Sequence, residues 1–310
     1  MLKKVNNLLS DNYERLKRDP SAAFKKRALE YLQKLEKDGY IDKPLYYSLC
    51  PGDDIPAFYG LPKIHKTDTS LRPIVSNINS VTYNIAKQLK AILSPLIGLT
   101  EHHIQISRDF IEKVRDIKVE ENETIASFDV SALCTSVPFD KAIEVVRERL
   151  RSDTSLHQRT KLSPDQNCQL LKLCLSTTYF VYNGALFKQK HGCAMGSPVS
   201  PVLANLNMEH FETSALDSFS GTWSSHWYRY VDDTWVKIHS AELHRFFQPI
   251  NNCDPFNKFT VENIKDSNLP FFDCMITVNK DGTSSGSAGN ESAVFSHLKN
   301  KGHHFARQRG

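Results

Sequence analysis

No stretch of this 310-residue chain is apolar for long enough to cross a bilayer, because Lys or Arg interrupts each candidate within a turn or two. That argues against a membrane-spanning helix. The N-terminus, Met1-Leu2-Lys3-Lys4, runs into Asn and Asp and lacks an apolar signal region. The expectation is an intracellular protein. The seven cysteines (Cys50, Cys134, Cys168, Cys174, Cys193, Cys253 and Cys274) include no Cys-x-x-Cys pair, which argues against a zinc site. Their odd, dispersed set fits reduced thiols. The doublets His102–His103 and His303–His304 have no second ligand pair nearby and read as surface-loop histidines. No internal repeat is visible. Neither sign of charge dominates, since the net charge is only +4. The ends alone are lopsided. Residues 1–37 carry 10 Lys/Arg against 5 Asp/Glu, and residues 294–310 carry four basic residues and no acid. Such ends suit phosphate contacts or a solvated surface.

The chain has helical and strand periodicities in mixed order. Phe24, Ala28, Tyr31, Leu32 and Leu35 recur at helical spacing, predicting a helix over 21–38 that Gly39 stops. A polar loop follows through Cys50-Pro51-Gly52-Asp53-Asp54, then short strands between Tyr59 and Ser76. Helices are predicted over 82–94 and 108–118, and a strand over 124–130 that stops at Asp129. Further helices are predicted after Pro138, after Ser163-Pro164-Asp165 and after Pro198. Asn183-Gly184 between β-rich runs predicts a two-residue hairpin. A second hairpin is centred on Asp232-Asp233 within Trp227–Ile238. Hairpins without strict β-α alternation predict an α+β fold. Residues 281–293, rich in Gly and Ser, read as a flexible linker.

The two Asp-Asp dipeptides differ in surroundings. Asp53-Asp54 lies in a Pro/Gly-rich polar loop and reads as a solvated turn. Asp232-Asp233 is flanked by Trp227, Tyr228, Tyr230, Val231, Trp235, Val236 and Ile238. Those flanks are buried strands, so the acids sit on a rigid tip. Two like charges held together are costly unless a cation neutralises them. Asp129 also ends an apolar strand and can meet that tip in space. Carboxylates suit Mg²⁺, which commonly takes one or two of them plus substrate phosphates. This is the donor set for two-metal nucleotidyl transfer, with Asp129 and Asp232 bridging the ions and Asp233 supporting them.

Tyr230-Val-Asp-Asp233 resembles the palm signature of reverse transcriptases. Phe128-Asp-Val-Ser-Ala-Leu-Cys-Thr-Ser-Val-Pro138 resembles their first palm motif as it occurs in Penelope-like elements. Tyr59-Gly-Leu-Pro-Lys-Ile-His-Lys66 with Leu71-Arg-Pro-Ile-Val-Ser76 resembles the fingers block of the same family and is the most specific match. His191-Gly-Cys-Ala-Met-Gly-Ser-Pro-Val-Ser-Pro201 with Ala204-Asn205 resembles the motif before the Asp-Asp hairpin. Lys258–Glu262 and Leu269–Asp273 resemble the last palm elements. These blocks fall in family order over roughly residues 20–278.

The resemblance implies an RNA-directed DNA polymerase with a right-hand fingers and palm core, its antiparallel palm sheet packed on helices. It implies Asp129, Asp232 and Asp233 as catalytic acids. Asp129, the Val130 backbone and Asp232 would hold two Mg²⁺, with Mn²⁺ as an alternative. Lys63, Lys66, Arg72, Cys134, Gly196, Ser197 and Pro198 would contact the nucleotide. Arg72 suits triphosphate because its planar fork pairs with phosphate oxygens. Lys258 would be a general acid, and Phe271 and Phe272 a primer grip. The partners implied are an RNA template, a DNA primer and dNTPs, without a membrane. Nuclear residence follows from the family's need to reach chromosomal DNA.

Two departures stand out. Cys134 occupies a position where the family usually has Phe or Tyr, which implies weaker discrimination against ribonucleotides. After residue 280 a Gly/Ser stretch and basic tail stand where the family continues into a thumb and often an endonuclease. The expected layout is a helical region over 1–58, fingers and palm over 59–280, and a linker with basic tail over 281–310, the thumb truncated or missing. The alternatives are a catalytically weak or inactive nucleic-acid-binding remnant, and a maturase-like or telomerase-like partner of a structured RNA.

Overall fold

The computed structural model describes residues 9, 12–62, 71–131, 133, 138–190, 192–218, 221, 226–253, 258–272 and 274–288. The chain divides into two compact units. Unit 1 comprises 1–62, 70–97 and 134–207; unit 2 comprises 63–69, 98–133 and 208–310.

Unit 1 contains a group of mutually packed helices and a five-stranded sheet. Its helices are α1 (Ser21–Lys37), α2 (Lys43–Leu49), α3 (Tyr83–Leu93), α5 (Phe139–Ser152) and α6 (Pro164–Ser176). Its strands are β1 (Tyr13–Leu16), β2 (Ala57–Pro62), β3 (Leu71–Ser76), β5 (Tyr179–Tyr182) and β6 (Ala185–Gln189), in the order β1-β6-β5-β2-β3. Helix α1 forms because its apolar residues recur every three to four positions, and Phe24, Ala28, Leu32 and Leu35 are all buried. They join one core with Ile85, Leu89, Val146, Leu150, Leu171 and Leu206. Each fully buried Leu or Ile there contributes about 1.5–3 kcal/mol. Helix α6 starts at a full capping box: Gln166 N–H donates to Ser163 Oγ (3.2 Å) and Ser163 N–H to Gln166 Oε1 (2.7 Å). The β5–β6 turn has Asn183 at φ 48° and Gly184 at φ 72°, the left-handed pair the Asn-Gly hairpin requires.

Unit 2 holds the remaining strands and helix α4 (Ser107–Arg115). β7 (His226–Tyr230), β8 (Asp233–His239), β4 (Glu123–Ser131) and β9 (Lys258–Asn263) form a sheet in the order β7-β8-β4-β9, and all its pairings are antiparallel. β10 (Asn268–Phe271), β11 (Cys274–Val278) and β12 (Ser284–Ala288) form a second, three-stranded sheet. The core joins Phe110 of α4 to Ile125, Trp235, Leu269, Phe271 and Ile276. Helix α7 (Ser200–Ser218) begins in unit 1, and helix α8 (Leu243–Cys253) follows β8. Among the described residues, no helix is long and apolar enough to cross a membrane.

Three expectations need correction. The loop over 40–54 contains α2, whose N-terminus is capped by Asp42 accepting from Leu45 N–H (2.9 Å). His102 and His103 lie in a turn as expected but are half-buried: His102 Nδ1 lies 3.0 Å from the Trp227 carbonyl, and the His103 backbone bridges Arg229, while His303 and His304 lie outside the described residues. Within the linker expected over 281–293, Ser284–Ala288 form a strand paired antiparallel with β11, and residues 289–293 lie outside the described residues. Its small residues have a packing reason. A Cβ built on Gly286 would lie 3.0 Å from Ile111 of α4 and 3.2 Å from Ile276. Gly286→Val is therefore expected to cost about 1–3 kcal/mol by overpacking, read as a lowered denaturation midpoint. A linker would show no change.

Candidate active site

The register of unit 2 brings two expected acids face to face. Asp129 on β4 is the direct cross-strand partner of Asp233 on β8. Directly opposed antiparallel residues have Cα atoms about 4.5–5.5 Å apart. Tyr230 and Asp233 close the β7–β8 hairpin, leaving Val231 and Asp232 as its two-residue turn. Val130 N–H donates to the Asp232 carbonyl (3.2 Å), which ties the turn to the end of β4. Asp129 and Asp232 are half-buried, and Asp233 is buried. Thr260 of β9 opposes Asp129 from the other side, its hydroxyl 3.4 Å from the Asp129 carbonyl.

The turn is strained. Val231 has φ 54°, a left-handed value that a β-branched residue rarely adopts. Such strain costs of order 1–3 kcal/mol and persists only where the surroundings over-determine it. On one side the Tyr230 ring stacks on Phe272, with centroids 3.6 Å apart. On the other, Arg229 Nη1 donates to the Val231 carbonyl (3.1 Å). Arg229 is fully buried, and its Nε donates to Glu212 Oε1 (2.8 Å).

Like charges directly opposed across a sheet are destabilising. A cation relieves that cost, and an oxygen-only donor set suits Mg²⁺. Among the described residues, no three His, Cys, Asp or Glu side chains converge as a complete metal cage. Mg²⁺ needs none, since it usually binds one or two carboxylates and completes its shell with water and substrate phosphate. The acids present fit that ion.

The other expected residues separate into groups. Lys63, Lys66 and Cys134 lie outside the described residues. Arg72, on β3, and Gly196 belong to unit 1, and the backbone joins their segments: Val75 N–H donates to the Met195 carbonyl (2.7 Å). Helix α7 begins at Ser200, so Ser197 and Pro198 lie in the turn before it, and Ser197 is not its cap. A recess beside this turn is lined by Asn77, Thr82, Thr178, Ser197 and Ser200. Lys258 opens β9 opposite Ser131 and donates to the Asn251 carbonyl (3.1 Å). Phe271 has no exposed surface and packs on Phe110, so its ring is core and cannot touch a primer. Phe272 caps the turn through Tyr230 instead.

Sequence reasoning missed Arg229, Glu209 and Glu212. The signal was there: Arg229 occupies the same alternating face as buried Trp227, and the two acids stand three residues apart on one helix, beside buried Met208 and Phe211. His103, in register with Arg229, has its pKa lowered from 6.5 to about 4, first by burial and then by the Arg229 guanidinium. A histidine with a depressed folded pKa favours folding above the unfolded value. That contribution is lost as pH falls from 6.5 towards about 4. Screening at this partly exposed ring leaves about 1–2 kcal/mol. Denaturation midpoints of wild type should fall over that window more steeply than those of His103→Asn.

Comparison with known proteins follows the same lines. Residues 64–253 match the family described as reverse transcriptase (RNA-dependent DNA polymerase). A search of curated proteins finds no match. The fold is similar to telomerase from Candida albicans in complex with a TWJ fragment of telomeric RNA, at 13% identity and a TM-score of 0.56, covering 92% of this chain and 54% of that one. It is also similar to apo telomerase from Candida tropicalis truncated from its C-terminal domain, at 12% identity and a TM-score of 0.54, covering 92% and 65%. The RNA-dependent RNA polymerase of a human picobirnavirus aligns at 11% identity and a TM-score of 0.51, covering 93% and 64%. At such identities the likeness is one of fold. This chain spans between half and two thirds of the length of each of these three structures. The α+β architecture thus recurs in polymerases, and the family match takes in both Asp129 and the Asp232-Asp233 hairpin across more than half the chain: this protein belongs to the reverse transcriptase family.

Proposed function

We infer that this chain is the fingers and palm of a Penelope-like RNA-directed DNA polymerase that extends a primer 3′-hydroxyl on an RNA template. Unit 2 is the palm and unit 1 carries the fingers. The observation that supports this most is the register that sets Asp129 against Asp233, with Asp232 in the adjoining turn. Two half-buried acids and one buried acid suit two ligands and one support. When bound, two Mg²⁺ or Mn²⁺ ions stabilise the attacking and leaving oxygens of an in-line displacement. Asp129, the Val130 backbone and Asp232 would hold those ions, and Asp233 would set the local charge.

The rest of the chain's work is orientation. Arg72, with Lys63 and Lys66, pairs with triphosphate oxygens. Gly196, with Ser197 and Pro198, lets backbone approach the nucleotide, and Cys134 lines the sugar with a side chain smaller than the family's usual ring. Phe272 steadies the turn and the primer end, and Lys258 supplies a proton to departing pyrophosphate. The Penelope-like reading rests on the Tyr59–Lys66 and Leu71–Ser76 blocks and places the activity in the nucleus, near chromosomal targets.

A primed RNA template with dNTPs and Mg²⁺ tests this. Metal-dependent extension is the expected result. Salt-dependent binding of the same template with no extension in Mg²⁺ or Mn²⁺ would instead indicate a binding remnant of such an element.

A further inference from the structure

Three charged side chains are buried together behind the acid-bearing turn. Arg229, Glu209 and Glu212 are exposed by 0%, 0% and 2%. Arg229 Nε donates to Glu212 Oε1 (2.8 Å), and Nη2 lies 3.7 Å from Glu209 Oε1. Each acid also accepts from an uncharged donor. Trp227 Nε1 donates to Glu212 Oε1 (2.8 Å), and Gly98 N–H donates to Glu209 Oε1 (2.7 Å). The Arg229 backbone is clamped as well. Its N–H donates to the His102 carbonyl (2.7 Å), and its carbonyl accepts from Ile104 N–H (2.9 Å).

Burying three charges carries a desolvation penalty that apolar residues of similar volume would avoid. Stability alone therefore explains the cluster poorly. The guanidinium also reaches the turn, where Arg229 Nη1 donates to the carbonyl of Val231 (3.1 Å), the residue held at φ 54°. That carbonyl belongs to the peptide that leads into Asp232. We propose that Arg229 is a positioning residue. Anchored by Glu209 and Glu212, it holds the Val231 peptide in its strained orientation and so sets the direction of the Asp232 carboxylate. Lys cannot replace it, because one ammonium lacks the planar fork that reaches Glu212 and Val231 together. This inference rests on the polymerase reading for its consequence, but the hold on the turn is measurable without it.

The test compares wild type, Arg229→Lys, Glu212→Gln, and Arg229→Lys combined with Val231→Gly. Hydrogen exchange is read at the Val130 amide, whose acceptor is the Asp232 carbonyl. Extension rate, half-saturating Mg²⁺ and template–primer affinity are read on a primed RNA template. Arg229→Lys should speed Val130 exchange about tenfold. It should slow extension and raise half-saturating Mg²⁺ by about 10–100-fold, the range typical of residues that orient metal ligands, with template–primer affinity unchanged. Glu212→Gln should move both readouts the same way by a smaller factor, and it carries the test if Arg229→Lys does not fold. Glycine adopts positive φ without strain, so Val231→Gly should restore at least about tenfold of the rate lost in Arg229→Lys. A merely structural Arg229 would not be rescued by a change in the turn. Wild-type Val130 exchange and Mg²⁺ dependence in the variants, or no rescue by Val231→Gly, would overturn the proposal. If wild type extends no primer, the polymerase reading fails. Faster Val130 exchange in Arg229→Lys would then still support the hold on the turn, and unchanged exchange would overturn it.

Discussion

Asp129→Asn is expected to slow primer extension by about 1,000-fold or more, equivalent to at least about 4 kcal/mol of transition-state stabilisation, while leaving the fold in place. The amide is nearly isosteric with the carboxylate, so the β4 register with Asp233 and Thr260 survives. What changes is the charge at the strand end. A neutral amide oxygen is a weaker ligand for a hard dication than a carboxylate. Denaturation midpoints should therefore stay within about 1 kcal/mol of wild type, because the site is half-buried and no packing volume changes. Loss of activity with a matching loss of stability would show that Asp129 acts through the fold. Loss of activity alone is the signature of a metal ligand.

Gly196→Ala is expected to act in the opposite way, through the fold first. Gly196 has φ 129°, where an L side chain is strained. A Cβ built there would lie 2.1 Å from the Val75 carbonyl oxygen and 2.9 Å from its carbon. Those atoms are backbone, and Val75 is held to Met195 by a 2.7 Å hydrogen bond, so neither side can yield cheaply. Strain of about 1–3 kcal/mol and overpacking of a similar size add to about 4 kcal/mol. That is a large share of the stability of an ordinary domain. The measurement is a chemical denaturation curve. A midpoint within error of wild type would mean that the close approach of this turn to β3 does not hold in solution.

Much of the architecture was legible in the sequence, for a physical reason. Helices α1, α3, α5 and α6 bury one face, so their apolar period is visible without knowing the partner. The Asn183-Gly184 turn declares itself because few residues tolerate two successive left-handed positions. Elements that depend on their neighbours were not legible. Helix α2 has seven residues, too few to show a period, and its start depends on the Asp42 cap. Helix α8 carries Pro249 inside it, which propensity counts against a helix. Strand β1 is four residues long and exists through its pairing with β6. Strand β12 reads as a linker until Ile111 is seen above Gly286.

The candidate site divides the same way. Asp129 and Asp232-Asp233 were legible because rigid apolar strands deliver them, whereas Asp53-Asp54 lies in an exposed loop where Lys25 pairs with Asp53. That Asp129 would oppose Asp233 is a matter of register, which local pattern cannot set. Arg229 and its acids stand 17 and 20 residues apart in sequence and meet only once α7 packs behind β7.

The two dipeptides make the most direct test. Single-turnover extension of a primed RNA template should be measured for wild type, Asp232→Asn and Asp53→Asn, with template–primer binding recorded in the same samples. Asp232→Asn should lose about 1,000-fold or more of the rate with binding unchanged, and Asp53→Asn should stay within about twofold of wild type, as an exposed surface charge does. Extension by Asp232→Asn at the wild-type rate would contradict the assignment of this turn as the metal-binding centre.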